Sequence, residues 1–91
     1  MKQIESVRVL TVGTAAQTAH MQGLAFLIEN NSESATVYFK EMSEDGAAVS
    51  ASNGFALRPG ELLNTALTAT ELSLAASAAN TDVRLLILSE M

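Results

Sequence analysis

The sequence predicts an all-β domain, a compact antiparallel β-sandwich of Ig-like or jelly-roll-like type with about seven to eight short strands. Three observations point there. Apolar residues alternate with polar ones at period two in several segments, which is the spacing of half-buried strands. Turn-forming residues interrupt those segments roughly every eight to twelve positions, as sandwiches and small barrels require. With 48% of 91 residues hydrophobic and 16% charged, the chain has enough apolar bulk for one core and no length for a second domain.

Ile4 to Val12 places Ile4, Ser6, Arg8 and Leu10 on one side and Glu5, Val7, Val9 and Thr11 on the other. Neither side is purely apolar, so this is an edge or terminal strand. Gly13 to Gln22 is small and polar and offers a core little bulk, which reads as a loop. Residues 1–22 are thus a terminal strand followed by an arm or loop. Leu24 to Glu29 is a nearly continuous apolar run, with faces Leu24, Phe26, Ile28 and Ala25, Leu27, and belongs in the middle of the fold. Asn30 to Ser34 is rich in side chains that satisfy turn backbone. Ala35 to Met42 then alternates Val37 and Phe39 against Thr36, Tyr38 and Lys40, so the two strands read as a β-hairpin.

Ser43-Glu44-Asp45-Gly46 is a turn, and Ala47 to Ser52 forms a short strand around Val49. Asn53-Gly54 fits a type I′ turn, which needs φ > 0 at both central positions. In Leu57-Arg58-Pro59-Gly60, Pro presets φ at the second turn position and Gly accepts the positive φ of a type II turn at the third. Glu61 to Ala79 is open to two readings. Leu63, Leu67 and Leu74 with many alanines suit a helix; the β-branched Thr65, Thr68 and Thr70 and the alternation of Leu72, Leu74 and Ala76 with Glu71, Ser73 and Ala75 favour two strands. After a turn at Asn80 to Asp82, Val83 to Leu88 closes the fold, with Val83, Leu85 and Ile87 on one face and Arg84, Leu86 and Leu88 on the other. The expected core is Leu24, Phe26, Ile28, Val37, Phe39, Leu57, Leu72, Leu74, Val83, Leu85 and Ile87.

Charge and composition exclude several functions. Ten acidic against five basic residues give a net charge of −5, the wrong sign for a phosphate-backbone reader, so nucleic acid is not an expected partner. Apolar residues are too evenly spread for a membrane span. The opening Met1-Lys2-Gln3-Ile4-Glu5 lacks the basic and long apolar regions of a signal peptide. Without cysteine there is no disulfide, thiolate nucleophile or cysteine zinc site.

No catalytic, cofactor or metal residues emerge. His20, the single histidine, reads as a surface loop residue. Glu29, Glu41, Glu44, Asp45, Glu61 and Glu71 lie beside turns or on polar strand faces and read as solvated surface, and the Glu44-Asp45-Gly46 cluster lacks the ligand spacing of a calcium loop. No serine sits in a Gly-x-Ser-x-Gly elbow, and no Gly-Lys-Ser/Thr marks a phosphate loop. A sandwich of this size with a solid core leaves little room for a ligand pocket of about 300 Å³. The expectation is therefore a non-enzyme without cofactor. Tyr38, out of phase with the core pair Val37 and Phe39, faces outward or packs across strands; Phe55 is the other aromatic candidate for a binding surface. The uncharged stretches around Ala15, Ala16, Ala47, Ala48 and Ala75 to Ala79 suggest surface that another subunit covers, and so a homo-oligomer.

The segments Gly23-Leu24-Ala25-Phe26-Leu27-Ile28-Glu29-Asn30-Asn31, Thr36-Val37-Tyr38-Phe39, Val49 to Glu61 with its core Ser52-Asn53-Gly54-Phe55-Ala56-Leu57-Arg58-Pro59-Gly60-Glu61, and Asp82 to Leu88 together resemble small virion proteins of tailed bacteriophages, of the head-decoration and head-fibre-base type. The resemblance covers about two thirds of the chain, from Gly23 to Leu88, and leaves the first 22 residues outside it. It implies a β-sandwich that binds the major capsid protein on the outside of an assembled head, at capsomer junctions or symmetry axes, often as a trimer and with no catalytic residues. The role it implies is cementing: a small subunit bridging two capsid proteins adds buried area and opposes their separation. The alternatives are another virion subunit, at the head-tail joint or in the tail, and a carbohydrate-binding or adhesin-like sandwich module.

Overall fold

The computed structural model of the chain describes residues 2–42 and 48–90, with side chains for residues 4–42 and 48–88. It is all β, as the alternation predicts. The strands are β1 (Lys2–Val12), β2 (Gln17–His20), β3 (Ala25–Asn30), β4 (Val37–Glu41), β5 (Phe55–Leu57), β6 (Leu62–Thr68), β7 (Glu71–Ala76) and β8 (Thr81–Glu90). They form two antiparallel sheets, ordered β1-β8-β3-β6 and β2-β7-β4-β5.

Every pairing of first with last is present: β1 with β8, β2 with β7, β3 with β6, and β4 with β5. The chain is therefore one long folded ribbon rolled into two layers, with β8 against β3 and β7 against β4 closing the sheets. This is the jelly-roll arrangement of eight strands in two Greek keys. The Ig-like alternative, in which strands are distributed otherwise between the sheets, falls away.

Glu61 to Ala79 resolves into β6 and β7, so the β-branched threonines and the leucine alternation outweigh helix propensity there. Buried Phe26, Ile28, Val37, Phe39, Leu57, Leu72, Leu74, Val83, Leu85 and Ile87 form the core between the sheets, as expected. Leu24 does not join them. It lies outside β3 in a turn closed by its own N–H donating to the Met21 carbonyl, and stays exposed. Val12, Met21, Ala69 and Ala76 complete the core instead.

Several local expectations change. Gly13 to Gln22 is not a free loop. β2 pairs with β7 from Gln17 opposite Leu74 to His20 opposite Glu71, and Met21 is fully buried. The Thr70 and Ala69 carbonyls accept the N–H groups of Met21, Gln22 and Gly23, so residues 13–22 are no extended arm. The segment between β3 and β4 is not a hairpin, because β3 and β4 lie in different sheets. It is an arch built on Asn30, which is fully buried: its Nδ2 donates to the Ala35 and Leu57 carbonyls at 2.7 and 2.9 Å, and its Oδ1 accepts the Ser32 N–H at 3.1 Å.

Asn53-Gly54 is no type I′ turn, since neither residue has positive φ. Gly54 is needed for a close approach instead. A Cβ there would run into the Val49 side chain and come within 3.0 Å of the Phe39 carbonyl. Residues 48–52 form irregular backbone and a turn rather than a strand; Val49 is nonetheless buried. The turn expected at Ser43 to Gly46, with Glu44 and Asp45, lies outside the described residues. At Arg58-Pro59-Gly60-Glu61 the type II turn is present: the Glu61 N–H donates to the Arg58 carbonyl at 3.1 Å, and Gly60 has φ 76°.

Candidate functional site

Two surfaces stand apart from ordinary solvated strand faces. The larger is the outer face of the β1-β8-β3-β6 sheet. Val83, Leu85 and Ile87 point inward, so Arg84, Leu86 and Leu88 point out. Register sets their neighbours: Leu86 stands between Val7 and Leu27, and Arg84 between Val9 and Glu29. Leu88 pairs with Ile4.

Ile4 reaches this face through a register shift. Ile4 pairs with Leu88 but Ser6 with Ile87, so Glu5 is an extra residue, and the bulge moves Ile4 from the side of Ser6 to that of Val7 and Val9. Simple alternation in the sequence misplaces it. Ile4, Val7 and Val9 are 51%, 49% and 61% exposed, and Leu27, Leu86 and Leu88 are half-buried around them. On β6, Leu62 opposite Glu29 is exposed as well.

Among the described side chains, Arg84, Asp82 and Glu29 gather at one end of this face. The Arg84 guanidinium donates to Asp82 at 3.1 Å, and Asn31 Nδ2 donates to the same carboxylate oxygen at 2.9 Å. The two donors hold the Asp82 carboxyl below its usual pKa, and Asp82, with the nearby Glu29, raises that of Arg84. Toward the other end, the described side chains that register places on this face are the apolar Ile4, Val7, Leu86, Leu88, Leu27 and Ala25.

The second surface is a cleft of about 350 Å³ at the opposite edge of the sandwich, where β5 and β6 leave the two sheets unsealed. Its walls are Phe26, Phe39, Phe55, Leu67, Ala69 and Leu72, with Lys40 and Glu41 also lining it. The expectation of no room for such a pocket is corrected. β5 is only three residues long, and a small Ala69 follows β6, so this edge is not packed shut. Phe55 stacks on Phe39 with ring centroids 5.6 Å apart yet remains 71% exposed. An apolar cleft of this size accepts a partner's aliphatic or aromatic side chain or a small apolar molecule.

The histidine and carboxylates scatter. His20 lies on β2 rather than in a loop, with Nδ1 3.3 Å from Glu71 on the neighbouring strand and both side chains largely exposed. The Glu61 carboxylate accepts the Arg58 N–H at 2.9 Å and braces the Pro59-Gly60 turn. Glu41 is exposed at the end of β4, and Glu29 is half-buried beside Arg84. Among the described residues, no three His, Asp or Glu side chains converge. Tyr38 is half-buried on the outer face of the β2-β7-β4-β5 sheet, opposite Ala75 and Ala56.

The alanine-rich stretches are only partly surface. Ala15, Ala16, Ala48, Ala78 and Ala79 are exposed, whereas Ala75 and Ala76 are buried in β7. The better signal for open apolar surface was in β3 and β8. Their near-continuous apolar runs are typical of strands covered on both faces, and among the described residues only one face is covered. No protein-family model, curated protein or solved structure matches this chain.

Proposed function

We propose that the chain is a non-enzymatic virion structural protein, a decoration subunit that binds the outside of an assembled phage head and strengthens capsomer contacts. The observation that carries the reading is the open outer face of the β1-β8-β3-β6 sheet. Large exposed apolar patches on small proteins mark interaction sites, and Ile4, Val7 and Val9 form one beside the apolar tips of Leu27, Leu86 and Leu88. Such a module works by being covered.

Three further points support the same reading. Jelly rolls recur among viral capsid and lectin domains, which is a fold-level analogy and weighs less than the face itself. The net charge of −5 disfavours adhesion to packaged DNA. The segments from Gly23 to Leu88 resemble decoration-type proteins. A glycan-binding role has weaker support: Phe55 and Tyr38 lie on different sides of their sheet, so they build no shared aromatic platform.

The test is to add the purified chain to shells assembled from the major capsid protein of the phage that this reading assigns it to. Saturable binding and a shell melting temperature raised by several degrees are expected. Shells that neither bind the chain nor melt later would rule the reading out.

A further inference from the structure

We infer that a second copy of this chain covers the outer face of the β1-β8-β3-β6 sheet, in a two-fold pair whose axis runs parallel to the strands between β8 and β3. The inference rests on the assembly-subunit reading: the second copy takes the open face, and the paired unit meets the shell through its remaining surface, where the Phe55 cleft lies.

Size permits it. Strands about 4.8 Å apart and rising about 3.3 Å per residue give this face roughly 500 Å² per copy, because β1 and β8 run 11 and 10 residues. The axis lays β1 and β8 over the shorter β6 and β3, so a pair buries about 800 Å², the size of a weak contact that comes apart on dilution.

Charge selects both the occupant and the axis. Arg84 on β8 and Glu29 on β3 are directly opposed neighbours, one of each sign, on the two central strands. An axis along the strands lays β8 of each copy over β3 of the other, so each Arg84 meets the other copy's Glu29. The same operation lays Leu86 over Leu27, which share a row, and carries the larger Leu88 toward the smaller Ala25, one step beyond the last paired residues. An axis across the strands does worse. Centred on the charged row it stacks Arg84 on Arg84; centred on the Leu86 row it presses Arg84 onto Leu88. The face is thus complementary to itself in one orientation, as an isologous contact demands.

Sedimentation equilibrium of the purified full chain should give a dimer that dissociates on dilution. Arg84→Glu alone and Glu29→Arg alone should each weaken the dimer at least tenfold, because like charges then face each other. An equimolar mixture of the two variants should restore it, since every crossed contact is again of opposite sign. Circular dichroism establishes that each variant is folded. If either is not, the absence of native cysteine allows a second route. Leu27→Cys chains mixed with Leu86→Cys chains should form an intermolecular disulfide, and Leu86→Cys alone should not.

A wild-type chain that stays monomeric at several hundred micromolar, a trimer, or variants whose mixture fails to recombine would overturn the inference. A monomer that still binds shells would remove the second copy and leave the decoration reading intact. A dimer that ignores shells would do the reverse.

Discussion

The outer faces of the two sheets meet the same physical problem in different ways. On the β2-β7-β4-β5 sheet the chain covers itself. Val49 lies buried beyond that sheet and its N–H donates to Ser73 Oγ at 3.0 Å, so Ser73, which points away from the core, is almost completely enclosed. Asn53 fixes the covering segment by accepting the Ser50 N–H at 2.6 Å and donating to the Ala48 carbonyl at 3.1 Å. Gly54 lets that segment close down on β4. On the β1-β8-β3-β6 sheet no described segment does this, and Val7 and Val9 stand about half exposed or more. The more apolar of the two outer faces is thus the one that no described segment caps.

Both faces depend on a frame that holds the two sheets together, and the buried Asn30 ties that frame across the arch. Asn30→Ala removes the side-chain donor to the Leu57 carbonyl and the acceptor of the Ser32 N–H, while the Ala35 carbonyl keeps only Ser32 Oγ at 3.0 Å. At about 1–3 kcal/mol for each stranded group, the loss should be about 3 kcal/mol. For a domain of this size that lowers Tm by roughly 10–25 °C. Thermal unfolding followed by circular dichroism measures it; a shift of only a few degrees would mean that water replaces the amide and that the arch does not depend on it.

Asn30 also shows where sequence reading stops. Patterns within one strand were legible: Phe26 and Ile28, Val37 and Phe39, and Val83, Leu85 and Ile87 alternate as they pack, and Pro59-Gly60 turns as its chemistry requires. What depends on distant partners was not. Asn30 looks like any turn residue until Leu57, far along the chain, supplies a carbonyl. β2 has no apolar alternation of its own and is a strand because β7 lies beside it. For the candidate site, the apolar outer faces of β3 and β8 were visible as continuous runs. The bulge that adds Ile4 to them was not, since one extra residue at Glu5 leaves no mark in composition.

The difference between the two outer faces can be sharpened by one substitution on each. Gly54→Ala forces a methyl group against Val49 and the Phe39 backbone, and should cost about 1–3 kcal/mol as an overpacked site. Val9→Thr on the open face removes no enclosed contact, because Val9 is 61% exposed. At concentrations where the chain is monomeric it should change stability by less than about 0.5 kcal/mol. Urea unfolding of both variants in dilute solution makes the measurement. Equal losses would mean that the two faces are equally built into the fold, and the contrast between them would be lost.

The smallest expected effect is electrostatic and belongs to the open face alone. Arg84 and Asn31 depress the pKa of Asp82, so the folded chain holds the carboxylate more firmly than the unfolded chain does. A carboxyl whose folded pKa lies below its unfolded value of about 3.9 stabilises the fold fully above that value. The contribution is lost as pH falls through the depressed folded pKa. Because the pair is solvent-accessible, salt screens it and the gain is slight. Asp82→Asn should therefore lower Tm by no more than a degree or two at pH 6 and low salt, with the gap closing in strong acid or in 1 M salt. A gap that persisted unchanged into acid would assign the effect to the hydrogen bond from Asn31 rather than to charge. The face would then hold the Asp82–Asn31 pair by geometry, and Arg84 would be free to meet a carboxylate from outside the chain.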